Sequence, residues 1–182
     1  MEIKFDQIVF DPDVQSFCIT PNFKCPHYGH SWCCPPEAPY LENKVSQFQK
    51  FFLIHFKFDL MSFIKEIKTK HPRRSVSRIR ASIYRRNIVR SYLEEEIFSF
   101  IENYDESYNE MLILWDGHCK ICEKEGNFCT YDSGNPCRYP DNKRYSMEAT
   151  GINVDKTVRS LGFEIEWPPT QNMYRFGLVC FK

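Results

Sequence analysis

Eight of the nine cysteines in this chain crowd into two segments rich in proline, glycine, histidine and asparagine, residues 18–39 and 117–140. Pro21, Pro26, Pro35, Pro36 and Pro39 interrupt the first segment, and a backbone so rich in proline is not expected to build a regular hydrogen-bond ladder. Its fold has to be supplied from elsewhere, and a bound metal would supply it. The opening residues MEIKFDQIVF carry charges through their apolar positions, without the basic and then apolar pattern of a secretory signal. The thiols are therefore expected in the cytoplasm, where stable disulfides are rare and metal binding or redox chemistry is the leading use of cysteine. Cys180, inside the apolar run FGLVCF, reads instead as a buried inert thiol.

The second segment has the pattern C-x2-C-x6-C-x7-C, formed by Cys119, Cys122, Cys129 and Cys137. A C-x2-C pair turns two thiolates toward one centre, and two further cysteines within about 20 residues complete a four-fold site, for zinc or for a cubane cluster. The first segment offers Cys18, Cys25 and Cys34, with Cys33 directly before Cys34. Successive side chains diverge, so Cys34 is the expected ligand and Cys33 a spare. The fourth position is open to Cys33, His27, His30, Cys180 or no protein ligand at all, and an open iron could bind a substrate. Thiolate-rich sites select zinc, Cu(I) or iron–sulfur clusters over hard cations.

The 182 residues suffice for a single domain. Residues 1–11 alternate as a half-buried strand would, 41–49 suit a short helix, and Lys50–Phe58 is aromatic enough for a strand. A helical, arginine-rich middle occupies 59–104: a helix from Asp59 to Lys70, a break at His71-Pro72, a basic stretch, then a helix to about Asn103. Glu110–Trp115 reads as a buried strand, Ser146–Thr150 as a turn closed by Gly151, and Asn153 as the cap of a helix through Leu161. Phe163–Trp167 and Met173–Phe181 read as further strands. Helices and strands mix without βαβ alternation, which predicts an α+β fold with a small, largely antiparallel sheet, helices and two cysteine-rich metal-binding loops.

Formal net charge is zero, so the chain has no overall positive field and nucleic-acid binding is not expected. The longest apolar stretches fall far short of the roughly 20 residues of a membrane span. Between Lys65 and Arg90, ten Lys and Arg, among them Arg85 and Arg86, face one acid, Glu66. This is either a solvated face balanced by the acids of 94–110 or a dock for an acidic redox protein. The seven glycines form no dinucleotide-binding, phosphate-binding or nucleophile-elbow motif, and no H-E-x-x-H occurs. The Cys119/Cys122 pair could act as a redox dithiol, but no helix N-terminus is expected after it to lower a thiol pKa.

The run Cys25-Pro-His-Tyr-Gly-His-Ser-Trp-Cys-Cys34-Pro-Pro, read as C-x2-Y-G-x2-W-x-C-P-P, resembles the motif of a family of predicted metal-binding proteins, domain of unknown function 2284, found mainly in archaea and anaerobic bacteria. Gly117-His-Cys119-Lys-Ile-Cys122, Pro136-Cys137-Arg138-Tyr-Pro140, Ser146-Met-Glu-Ala149 and Gly151-Ile-Asn-Val154 resemble its later motifs. The resemblance implies an iron–sulfur protein of anaerobic metabolism with Cys18, Cys25, Cys34, Cys119, Cys122, Cys129 and Cys137 as ligands. Two [4Fe–4S] clusters and a protein redox partner are then expected. The rivals are a zinc-stabilised interaction module with a basic docking face, and an enzyme with an open iron in the N-terminal centre.

Overall fold

Two ten-residue strands, both rich in aromatic and aliphatic residues, carry the fold in the computed structural model, which describes residues 1–21, 23–86 and 88–182, the side chains of 84–86 excepted. Strand β4 (Lys50–Asp59) pairs antiparallel with β6 (Asn172–Phe181) along its whole length, from Lys50 opposite Phe181 to Asp59 opposite Asn172. The short β1 (Glu2–Ile3) borders β4, and β5 (Met111–Leu114) borders β6, so the order is β1-β4-β6-β5 with every pair antiparallel. With six α-helices among the described residues the fold is α+β, as expected.

Successive strand residues point to opposite faces, so β6 serves two cores. Phe176, Leu178 and Cys180 join Leu53, Leu114, Met147, Ile152 and Val158 on one face. Val179 and Phe181 meet Leu93 and Ile97 on the other. Cys180 is fully buried in the first of these cores, in keeping with an inert thiol, and is no fourth ligand for either cysteine set.

Helix α1 (Glu42–Val45) precedes β4, and α2 (Leu60–Lys70) follows it, its first turn capped by Asp59, whose carboxylate accepts from Ser62 N at 2.8 Å. The basic stretch is itself helical rather than a lead-in to one helix: α3 (Val76–Arg86) precedes α4 (Ile88–Glu102). Ile79 and Ile83, four apart on α3, are buried against Leu60 and Ile64 of α2 and Met173 of β6, which is why this charged sequence forms a helix. The side chains of Arg85 and Arg86 lie outside the described residues. Among the described residues, Arg73, Arg74, Arg78 and Arg80 form no ion pair.

Two expected strands differ. The first shrinks to Glu2–Ile3, followed by a 3-10 turn at Phe5–Gln7 and a single bridge from Phe10 to Ile152. Phe163–Trp167 forms no strand, because its polar backbone is claimed by the preceding helix, α6 (Val154–Ser160): Phe163 N–H donates to Val158 O, and Arg159 donates to Ile165 O at 2.9 Å. Phe163 packs edge-on against Tyr174 and Phe176.

Asn153 caps α6, accepting from Lys156 N at 3.0 Å. Asn153→Ala removes that acceptor and is expected to cost about 1 kcal/mol, read as a lower midpoint in denaturant. An unchanged midpoint would show that water replaces the cap. Among the described residues no helix is long and apolar enough to cross a membrane.

Candidate metal centre

Cys18 and Cys25 are brought together by a small hairpin. Strands β2 (Ile19–Thr20) and β3 (Phe23–Lys24) pair with Ile19 opposite Lys24, and the next step outward sets Cys18 against Cys25, whose N–H donates to Cys18 O at 2.8 Å. Local backbone pairing thus orders a segment whose prolines argued for none. The chain then turns through Gly29, whose φ of 69° favours glycine, and Gly29 N–H is tied to Pro35 O at 2.9 Å. This return brings Cys34 to the cleft lined by Cys18 and Cys25. Burial pushes the Cys18 and Cys34 thiols up to about 11.

Cys33 faces the other way. It lines a second cavity together with Cys119, Cys122, Cys129 and Cys137. The divergence of neighbouring side chains, which marked Cys33 as a spare for the N-terminal set, delivers its thiol to the C-terminal one. The eight segment thiols therefore stand five and three around two adjoining cavities.

The C-terminal loop is shaped by short-range turns. Cys119 precedes α5 (Ile121–Lys124), Gly126 turns the chain with φ 73°, and Asn127 N–H returns to Cys122 O at 2.8 Å. This four-residue helical turn begins inside the C-x2-C pair and contains Cys122. The Cys33 thiol donates to Cys119, which lowers Cys119 to about 6, aided by the backbone N–H groups of Ile121 and Arg144. The same contact raises Cys33.

Three long-range bonds clasp the two loops. Trp32 Nε1 donates to Thr130 Oγ1 at 3.2 Å, His30 Nδ1 meets Asp132 at 2.8 Å, and Tyr131 donates to Glu37 at 3.3 Å. His30 is thus engaged on the C-terminal side and does not line the three-cysteine cleft. His27 and His118 stack with ring centroids 3.4 Å apart and line both cavities. Burial, then the neighbouring His27, lowers His118 to about 4, so the stacked rings are neutral near pH 7.

Helix α4 props the C-terminal loop from beneath. The Arg90 guanidinium donates to His118 O. Glu94 lies 2.5 Å from Lys124, 3.1 Å from Arg144 and 3.7 Å from Arg90. Glu94 is buried, so it does not balance the basic stretch on the surface as one reading of the sequence had it. Arg144 also lies over the Trp115 ring, 4.1 Å from its centroid. Sequence patterning gave no hint of this network, since buried charges look like surface charges until the fold encloses them.

The donor chemistry fits a thiophilic metal group: soft sulfur donors line both cavities, with neutral imidazoles between them. Among the described residues no three or more His, Cys, Asp or Glu side chains are gathered as a group that could hold a single metal ion. The model of a family described as predicted metal-binding protein, domain of unknown function 2284, matches residues 1–181. The chain belongs to that family. For this member of domain of unknown function 2284, no curated protein and no solved structure gives a match. The family's description and the paired cavities point to one property, metal binding.

Proposed function

We propose that this chain is an iron–sulfur protein that holds two [4Fe–4S] clusters, one at each cysteine set, and relays electrons as an accessory of an anaerobic enzyme system in the cytoplasm. The observation that carries this reading is the placement of eight thiols around two adjoining cavities that share one wall, the His27–His118 stack. Two neighbouring redox centres can exchange electrons. Bound clusters would supply reversible one-electron chemistry, tuned by hydrogen bonds to sulfur and by burial.

The residues of the chain do the rest. Four of the five thiols at the C-terminal cavity would bind one cluster, and Cys18, Cys25 and Cys34 would hold the other. The backbone N–H groups of Ile121 and Arg144 help to lower the Cys119 thiol, and such donors stabilise negative charge on a ligand. The stacked imidazoles form the shared wall between the two cavities. Phe128, 91% exposed beside Cys129, offers a protein redox partner an apolar contact close to a cluster. The arginines at 73–80, which form no ion pair among the described residues, would steer an acidic partner. The accessory role in anaerobic metabolism comes from the family resemblance.

Metal and acid-labile sulfide analysis with a visible spectrum, on protein purified without oxygen, tests the reading. About eight iron and eight sulfide per chain, with an absorbance bleached by dithionite, are expected of two cubanes. One or two zinc without sulfide would replace the relay with a zinc-stabilised interaction module.

A further inference from the structure

The N-terminal cleft has three thiols, and most of the donors proposed from sequence for its fourth position are accounted for elsewhere. Cys33 lines the other cavity, Cys180 is in the core, and His30 is bound to Asp132. His27 also reaches the cleft, a nitrogen donor with its ring face stacked on His118. Asp116 also lines the cleft and is held by Arg175 at 3.1 Å. Glu148, in the Ser146-Met-Glu-Ala149 run, is the oxygen donor left at the cleft.

We infer that the Glu148 carboxylate is the fourth ligand of the N-terminal centre, an oxygen donor beside the three sulfurs of Cys18, Cys25 and Cys34. Glu148 lines the same cleft as those thiols. It opens the 3-10 turn Glu148–Thr150, which Gly151 closes with φ 94°. The Ser146 hydroxyl, accepting from Ala149 N at 3.0 Å, lines the same cleft. The side chain is reachable by solvent through the cleft, whereas Cys33 is 2% exposed. An oxygen-ligated iron at that corner is consequently more exchangeable than one held by sulfur.

The inference rests on the two-cluster reading, and the experiment separates the two. Anaerobically purified protein is treated with a small excess of ferricyanide, which accepts one electron as [4Fe–4S]2+ becomes [3Fe–4S]+ and releases Fe2+. About one iron in eight should leave, with the paramagnetic signal of a three-iron cluster. Glu148→Cys should retain its iron and lose that signal, and Glu148→Ala should lose iron faster than the unmodified protein. Should the variants fail to fold, Mössbauer spectra of the unmodified protein decide: one iron site distinct from the rest is expected. Full iron retention with equivalent sites would overturn the assignment. Protein lacking iron and sulfide altogether would overturn the two-cluster reading and this assignment with it.

Discussion

Glu94→Gln lowers the stability of the protein by about 3–5 kcal/mol, the cost of stripping the anion from a buried charge network. The substitution keeps the shape of the side chain and removes its charge, which leaves Arg90 and Arg144, 7% and 16% exposed, without the carboxylate that faces them. Burial works to raise the Glu94 carboxyl, but the contacts with Lys124 and Arg144 outweigh it and hold the group below its usual value. A depressed carboxylate pKa contributes stability that is present above the unfolded pKa and lost as pH falls through the folded one. The gap between the two proteins should therefore be widest near pH 7 and narrow in acid. Denaturant titrations at several pH values measure it. A gap below about 1 kcal/mol at pH 7 would mean that the network is solvated like a surface pair.

Gly151→Ala should cost about 2–4 kcal/mol, from two separable causes. At φ 94° a residue with a Cβ is strained, and the added carbon would sit 2.2 Å from the Tyr40 ring. Tyr40 could yield only by giving up its 2.7 Å bond to Glu42. Gly162→Ala supplies the control: φ is 87° there and nothing lies within 4 Å of the new carbon, so only the backbone cost of about 1–2 kcal/mol applies. Equal losses in the two variants would show that Tyr40 swings aside freely.

The strands and helices were readable wherever local pattern and burial agree. Lys50–Phe58 and Met173–Phe181 are apolar enough to be strands under any packing, and Asn153 announces α6 by its own side-chain chemistry. Phe163–Trp167 misled because an aromatic run suits a strand only if a neighbour is available to pair with, and neither side of β6 has room: β4 lies on one and β5 on the other. The site was half readable. Spacing alone groups Cys119 with Cys122, but it cannot show that Cys33 and Cys34 point into different cavities, because that depends on where each loop meets the other. Glu148 lies in the Ser146-Met-Glu-Ala149 run that resembles a family motif, but a single glutamate in a turn carries no pattern that assigns it a role.

The clasp between the loops has a consequence for how such a site comes into being. Its three bonds join residues 94, 98 and 102 positions apart, so the cavities exist only after the sheet has carried distant parts of the chain together. Neither cysteine segment, excised as a peptide, would contain a finished pocket. The two cavities therefore belong to the folded whole, even though local turns already bring some of the thiols together.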